Sequence, residues 1–368
     1  MTKPLAGPSF LGTFGLVFVA IAALFAVDMF LARLERKETH IEATHLFEQG
    51  RVLMQRGENA EAIERIKDAI AIERGNRDYQ RTLAQAQLAA GSAAAAESTL
   101  TEFLQSDSTD GPANLVMGRV LAKQGRFTEA ISYYRRAIYG DWDKDASGNR
   151  LRVRFELIDL LAQRDSKEEL LAELLPAQQQ APGDLKTQTR LGRLFLLAGS
   201  PAHAADVFRG ILHDLPSNAD AHAGLGEAEF ARGNYRAAER DFVTAWRLAP
   251  GDAAIRQRLE LCNDLLGLDP LARGLQPPAR FQRSLKLIEL TLGETTQCTG
   301  HNPSPKLQGL FDQAGKALKA HVSAAHESDV AESNLDLSEQ LWQLRRRECQ
   351  PPPAPDSPLA LVMARLAQ

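Results

Sequence analysis

The sequence predicts an all-α chain, and three observations lead there. Ala62, Ala96, Ala130, Ala204 and Ala238 each follow a glycine by five residues and precede a large side chain, Ile66, Leu100, Tyr134, Phe208 or Phe242, by four. The glycines are Gly57, Gly91, Gly125, Gly199 and Gly233. No stretch alternates polar and apolar residues as a half-buried strand would. Aromatic residues make up only 6% of the chain while alanine is abundant, which suits closely packed helices better than sheets. At 368 residues the chain is long enough for two domains and an anchor. Its formal charge of -4 carries no signal for a polyanion, so no nucleic-acid partner is expected.

The elements follow in order. Residues 1–9 form a short tail before an uncharged run from Phe10 to Val27, which Met29 to Ala32 extends past Asp28. That is about the length needed to span a bilayer, so residues 10–32 are read as a transmembrane helix with lipid as its partner. A cleaved signal peptide competes, but its apolar core is usually about 7–15 residues, and the only Ala-x-Ala, Ala20 to Ala22, sits inside the run. A buried soluble helix is the plainer alternative. Orientation cues conflict. Arg33, Arg36 and Lys37 follow the run and only Lys3 precedes it, which favours the C-terminal side inside; cysteine usage, below, favours the outside.

From Thr44 the units read Thr44 to about Gly75, Asn76 to Asp110, and Gly111 to Gly140, a period of about 34 residues. The fourth is displaced by an insertion in the Asp141 to Asn149 loop and continues in degraded form through Phe155, Ile158, Leu161, Leu170, Leu174 and Pro182. Leu170 stands where the others have alanine, so looser or shifted packing is expected there. Asp184 to Pro216 and Ser217 to Pro250 resume the pattern. Gly50, Gly118, Gly192 and Gly226 fall mid-helix, where glycine costs about 1 kcal/mol against alanine; close approach of a neighbouring helix is the expected gain. The glycines seven residues on end the first helix of each unit, and Pro216 and Pro250 close the last two units, because proline cannot continue a helix. Each unit leaves an apolar face that only stacking covers.

These residues and this period resemble the tetratricopeptide repeat (TPR) family, specifically its membrane-anchored bacterial members. The resemblance covers residues 43–250 as about six helix pairs and implies an α-solenoid superhelix. Residues 251–268 then supply a capping helix, with Ile255, Leu259 and Leu266 turned to the last unit and Arg256, Arg258 and Glu260 outward. In TPR proteins ligands usually lie along the concave face lined by the first helices. Carried across, that face presents Arg51, Arg81, Arg119, Lys123 and Arg193, with Phe47, Leu115, Phe155 and Phe230 between them. Guanidinium groups pair bidentately with carboxylates, so an acidic segment suits such a groove; a merely solvated charged face is the alternative. The lysine, asparagine and arginine clamp that holds chaperone tails is absent, since Phe47, Arg51, Thr82, Pro112 and Val116 stand at the matching places.

The repeat is lost after Asp269. Residues 269–278 form a linker broken by Pro277 and Pro278, and residues 279–350 read as a small helical domain. Its first helix, about Ala279 to Thr296, carries Leu285, Ile288 and Leu292. Its second opens on Ser304 and Pro305, and its third on a capping box of Asp329 and Glu332 ahead of Leu337, Leu341, Trp342 and Leu344. Residues 351–368 contain a Pro-rich link and a short terminal helix from Ser357 and Pro358. If the three helices run up, down and up, Cys298 and Cys349 meet at one end and a disulfide is feasible; two unrelated thiols are the alternative. Such a bond persists in oxidising spaces such as a bacterial periplasm. Cys262 reads as a small buried residue.

Catalytic motifs are not found. Cys298, His301, His321 and His326 lack the paired-cysteine spacing of a zinc site, and no phosphate loop, nucleotide fingerprint or nucleophile elbow occurs. No enzyme activity, cofactor or small-molecule substrate is expected. The expected function is a membrane-anchored scaffold that recruits or assembles other proteins through acidic or amphipathic segments. Its expected place is a bacterial inner membrane with the soluble part periplasmic. The alternatives are an accessory subunit packing against other subunits of a larger membrane complex, and an anchored adaptor whose array faces the cytoplasm.

Overall fold

The structure, a computed structural model, describes residues 10–272, 274–299, 303–350, 354 and 357–367, with side chains at residues 18 and 19 and from residue 21 onward. The expected tail, residues 1–9, lies outside them. Among the described residues the fold is all α, with seventeen α-helices and no strands. The chain divides into two compact units, Met1–Leu161 and Ala162–Gln368.

The first unit contains α1 (Phe10–Arg56), α2 (Asn59–Ile72), α3 (Arg77–Ala89), α4 (Ala93–Ser106), α5 (Gly111–Lys123), α6 (Phe127–Tyr139) and most of α7 (Ala146–Gln163). The second contains α8 (Lys167–Gln180), α9 (Leu185–Leu197), α10 (Pro201–Asp214), α11 (Ala219–Ala231), α12 (Tyr235–Leu248) and α13 (Ala253–Leu268). It continues with α14 (Pro277–Thr299), α15 (Pro305–Lys319), a short 3-10 turn at Ala324–His326, α16 (Glu327–Glu348) and α17 (Pro358–Leu366).

Two periodic signals set the helix ends. Asn76, Asp110, Asp184 and Asn218 each cap the first helix of a repeat, and Asp252 caps α13, their side chains accepting a backbone N–H of the first turn. Such a cap contributes about 1 kcal/mol. At the other end, Gly125 sits at φ 77°. Its N–H donates to Ala122 O at 3.0 Å and Arg126 N–H reaches back to Leu121 O at 2.9 Å, so two orphan carbonyls are satisfied. The equivalent place in the fourth unit is Asp165, held at φ 52° with a longer 3.4 Å bond to Ala162 O.

Between the ends, small meets large. A methyl added at Gly192 would stand 2.6 Å from the Phe208 ring, and one at Gly226 would stand 2.8 Å from the Phe242 ring. Both rings are essentially buried, as are Ala204 and Ala238. Leu170 is 1% exposed; the looser packing expected there does not take the form of an exposed side chain.

The expected anchor and the first repeat helix are one element. α1 runs 47 residues because no glycine or proline interrupts the sequence between Gly15 and Gly50. The side chains of residues 10–17 and 20, nine of the 23 residues of the expected span, lie outside the described residues. Among the described residues no helix is long and apolar enough to cross a membrane. What α1 does show is an exposed apolar run that includes Phe18, Leu24, Phe25, Phe30 and Leu31, with Phe18 at 74%.

The C-terminal helices form two apolar clusters. Ile288, Leu307, Leu310, Ala314, Leu337, Leu341 and Leu344 join α14, α15 and α16. Leu265, Leu287, Leu335, Trp342, Leu359, Val362 and Met363 join α13, α14, α16 and α17. Ser304 caps α15 as expected, accepting from Leu307 N–H at 3.3 Å. The expected capping box is corrected: α16 starts at Glu327, directly after the 3-10 turn, so Asp329 lies inside its first turn. Cys298 and Cys349 are bonded, with their α-carbons 5.7 Å apart.

Candidate partner-binding surface

Of the nine residues expected along the first-helix face, seven lie in the first compact unit and Arg193 and Phe230 in the second, and they differ in burial and in partners. Phe47 is buried in the core of the first unit, its ring 4.4 Å from that of Tyr79. Leu115 is 4% exposed. Both are packing residues of the helix pair, because a first helix in a stacked array is covered on more than one side.

Arg81 is also interior, at 9% exposure. It donates to Asp110 at 2.7 Å, pairs with Asp78, and lies 3.7 Å from Asp143. Burial opposes its charge, but the carboxylates outweigh burial and hold its pKa above the ordinary guanidinium value. This cluster pins the inserted loop. Gly111 N–H donates to Asp141 O at 2.9 Å, Asp141 N–H to Thr109 O at 2.8 Å, and Trp142 Nε1 to Ala137 O at 2.8 Å. Arg81 is therefore a structural hub, a role that its spacing alone did not reveal.

Arg119 is part-buried and committed. Its Nε donates to Glu156 Oε2 at 2.9 Å and its Nη2 reaches the other carboxylate oxygen. The Glu156 carboxylate raises its pKa, and burial pushes the adjacent Tyr134 phenol up to about 12. Lys123 is exposed, and its ammonium donates to Leu88 O at 3.3 Å. Arg51 pairs with Glu48 three residues back, both half exposed. Phe155, on α7, is half-buried.

In the second unit Arg193 is two-thirds exposed and makes only a long 3.9 Å approach to Asp220. Phe230 is half-buried: Arg258 lies 4.6 Å above its ring, and Tyr235 packs beside it. Arg258 is held in turn by Glu227 across the face. The same pattern of charge occurs in both units: the arginines expected to attract a partner mostly face acids of this chain, so the surface is closer to neutral than the sequence suggests. The Arg119–Glu156 and Arg258–Glu227 pairs were not anticipated, and their separations of 37 and 31 residues leave no short-range signal.

Among the described residues no three metal-ligating side chains converge. Cys298 is taken by Cys349, and His301 lies outside the described residues. Cys262 is buried, and burial pushes its thiol up to about 12, which keeps it protonated and unreactive at neutral pH.

The sequence profile of the tetratricopeptide repeat matches residues 47–111, 81–149, 115–184 and 189–253. No curated protein matches the chain at the sequence level. Among solved structures the chain is similar to YrrB, described as a TPR protein with an unusual peptide-binding site, at 17% identity and a TM-score of 0.42, over 53% of this chain and 97% of that one. It is similar to the C-terminal part of a TPR repeat-containing protein from Cytophaga hutchinsonii, at 15% identity and a TM-score of 0.44, over 79% and 95%. A third is pilF of Pseudomonas aeruginosa, at 17% identity and a TM-score of 0.40, over 61% and 97%. With the profile repeated over more than half of its residues and the helix pairs capped and wedged at matching positions, the chain belongs to the tetratricopeptide repeat family.

Proposed function

We propose that the chain is a membrane-anchored scaffold that recruits or assembles other proteins through its repeat array, on the periplasmic side of a bacterial inner membrane. The observation that carries the scaffold reading is the array itself, because a TPR fold is typically a non-catalytic interaction surface. Partners are amphipathic more than acidic segments: Arg81 is interior and Arg119 is already paired with Glu156, which leaves Arg193, Lys123 and Arg51 with half-buried Phe155 as the accessible set.

The anchor is supported by the exposed apolar run of α1, where ten large side chains between Phe18 and Leu34 are uncovered by the rest of the fold. An apolar surface of that extent is costly in water. The side of the membrane is supported by the Cys298–Cys349 pairing, since disulfides persist in oxidising compartments, against the positive charges after the run. Reporter fusions at the carboxyl terminus test the assignment, one active only in the cytoplasm and one only outside it. Activity of the outside reporter in the membrane fraction is expected. Activity of the cytoplasmic reporter would overturn the periplasmic side, and recovery of the chain in the soluble fraction would overturn the anchor.

A further inference from the structure

The helix α17 is held as a bound peptide would be. Leu359, Val362 and Met363, at i, i+3 and i+4, are its buried residues. They pack with Leu265 of α13, Leu287 of α14, and Leu335 and Trp342 of α16. Helix-in-groove recognition reads this spacing. One ion pair sets its direction: Arg365 Nη1 donates to Asp269 Oδ2 at 2.8 Å, with the guanidinium 5.8 Å from the Tyr235 ring centroid. The Asp269 side chain is only 5% exposed, and its other carboxylate oxygen accepts from Leu271 N–H at 2.9 Å.

Little else secures α17. Among the described residues no backbone hydrogen bond joins it to the helices beneath, and the sequence ahead of it holds Pro351, Pro352, Pro353 and Pro355, none of which has an N–H to donate. At nine residues it is below the roughly 12–15 needed for a marginally stable isolated helix, so it is helical only while seated. The surface beneath it continues onto the repeats, because Phe230 of α11 and Leu261 of α13 pack against the same cluster.

We propose that this seat is a helix-binding site, filled in cis by α17 and open to a partner helix of the same chemistry. That partner carries aliphatic side chains at i, i+3 and i+4 and an arginine at i+6. Charge complementarity selects it: with α17 gone, the Asp269 carboxylate lacks the guanidinium that pairs with it here, and an arginine at i+6 of the incoming helix restores that pair. The seat differs from the accessible residues of the first-helix face, so it stands or falls separately from the scaffold assignment.

The probe is a fluorescent peptide of residues 357–368, measured by anisotropy against the full chain. Unmodified chain is expected to bind it weakly, because α17 competes from within the same molecule. Full chain carrying Val362→Asp and Met363→Asp, which unseats α17, is expected to bind it at least about tenfold more tightly. The same peptide with Arg365→Glu is expected to lose about thirtyfold or more. Equal binding by the variant and the unmodified chain, or equal binding of the two peptides, overturns the proposal. If the variant fails to fold, hydrogen exchange on the unmodified chain decides. Amides of α17 exchanging at least about a hundredfold faster than those of α16 support a detachable helix, and equal protection overturns it.

Discussion

Asp165 occupies the place that glycine holds in the other five units, and it holds the same left-handed conformation, at φ 52°. An L side chain pays for that conformation through contact of its Cβ with the backbone. The side chain returns little, because it is largely exposed and its nearest cation, Lys167, is 3.8 Å away. Asp165→Gly is therefore expected to stabilise the fold by about 0.5–1 kcal/mol, read as a higher urea midpoint at unchanged slope. Asp145 is the control. It too has positive φ, at 42°, but its carboxylate accepts from Gly148 N–H at 3.2 Å at the start of α7. Removing that acceptor offsets the relief, so Asp145→Gly should bring no gain. A midpoint for Asp165→Gly at or below that of the unmodified chain would show that the fourth turn is not strained.

At the scale of the helix pair, the mid-helix glycines and the rings facing them are one device. The second repeat, Asn76 to Asp110, does the same work differently, with Ala84 and Leu100, both fully buried, at the matching positions. Gly226→Ala alone forces a methyl to 2.8 Å from Phe242 and should cost about 1–3 kcal/mol by overpacking. Phe242→Leu alone leaves a void, but the double variant rebuilds the Ala84 and Leu100 pairing of the second repeat. A coupling of about 1–2 kcal/mol in favour of the double variant is expected from a thermal-melt cycle; strict additivity would mean that the glycine serves something other than the ring. This device was legible in the sequence because both partners lie within one period. The N-caps at Asn76, Asp110, Asp184, Asn218 and Asp252 share that period and were equally available to a reading that looked for them. Burial of Phe47, Leu115 and Arg81 was not legible, since it depends on what a neighbouring unit lays over each helix. The same holds for the acids that neutralise Arg119 and Arg258. The fusion of the apolar run to the first repeat helix could have been anticipated, as no breaker separates them.

At the scale of the whole chain, the repeats and the helices after them are stabilised by different means. Repeats gain a core by stacking, whereas α14, α15 and α16 form a small group closed by a covalent bond between positions 51 residues apart. A loop of that length restricts the unfolded chain enough for a disulfide to contribute about 2–4 kcal/mol. The bond joins the C-terminal ends of α14 and α16, so its loss frees those ends first. The stacked pairs α2 to α6 contain no cysteine and contribute no residue to the C-terminal clusters. Reduction of the full chain, or Cys298→Ser with Cys349→Ser, is thus expected to raise hydrogen exchange in α14 to α16 while leaving α2 to α6 unchanged. Faster exchange throughout would mean that the bond supports the array as well as its own helices. No change anywhere would mean that the apolar cluster of Ile288, Leu307 and Leu341 holds the group without covalent help, and the bond would then bear on compartment rather than on stability.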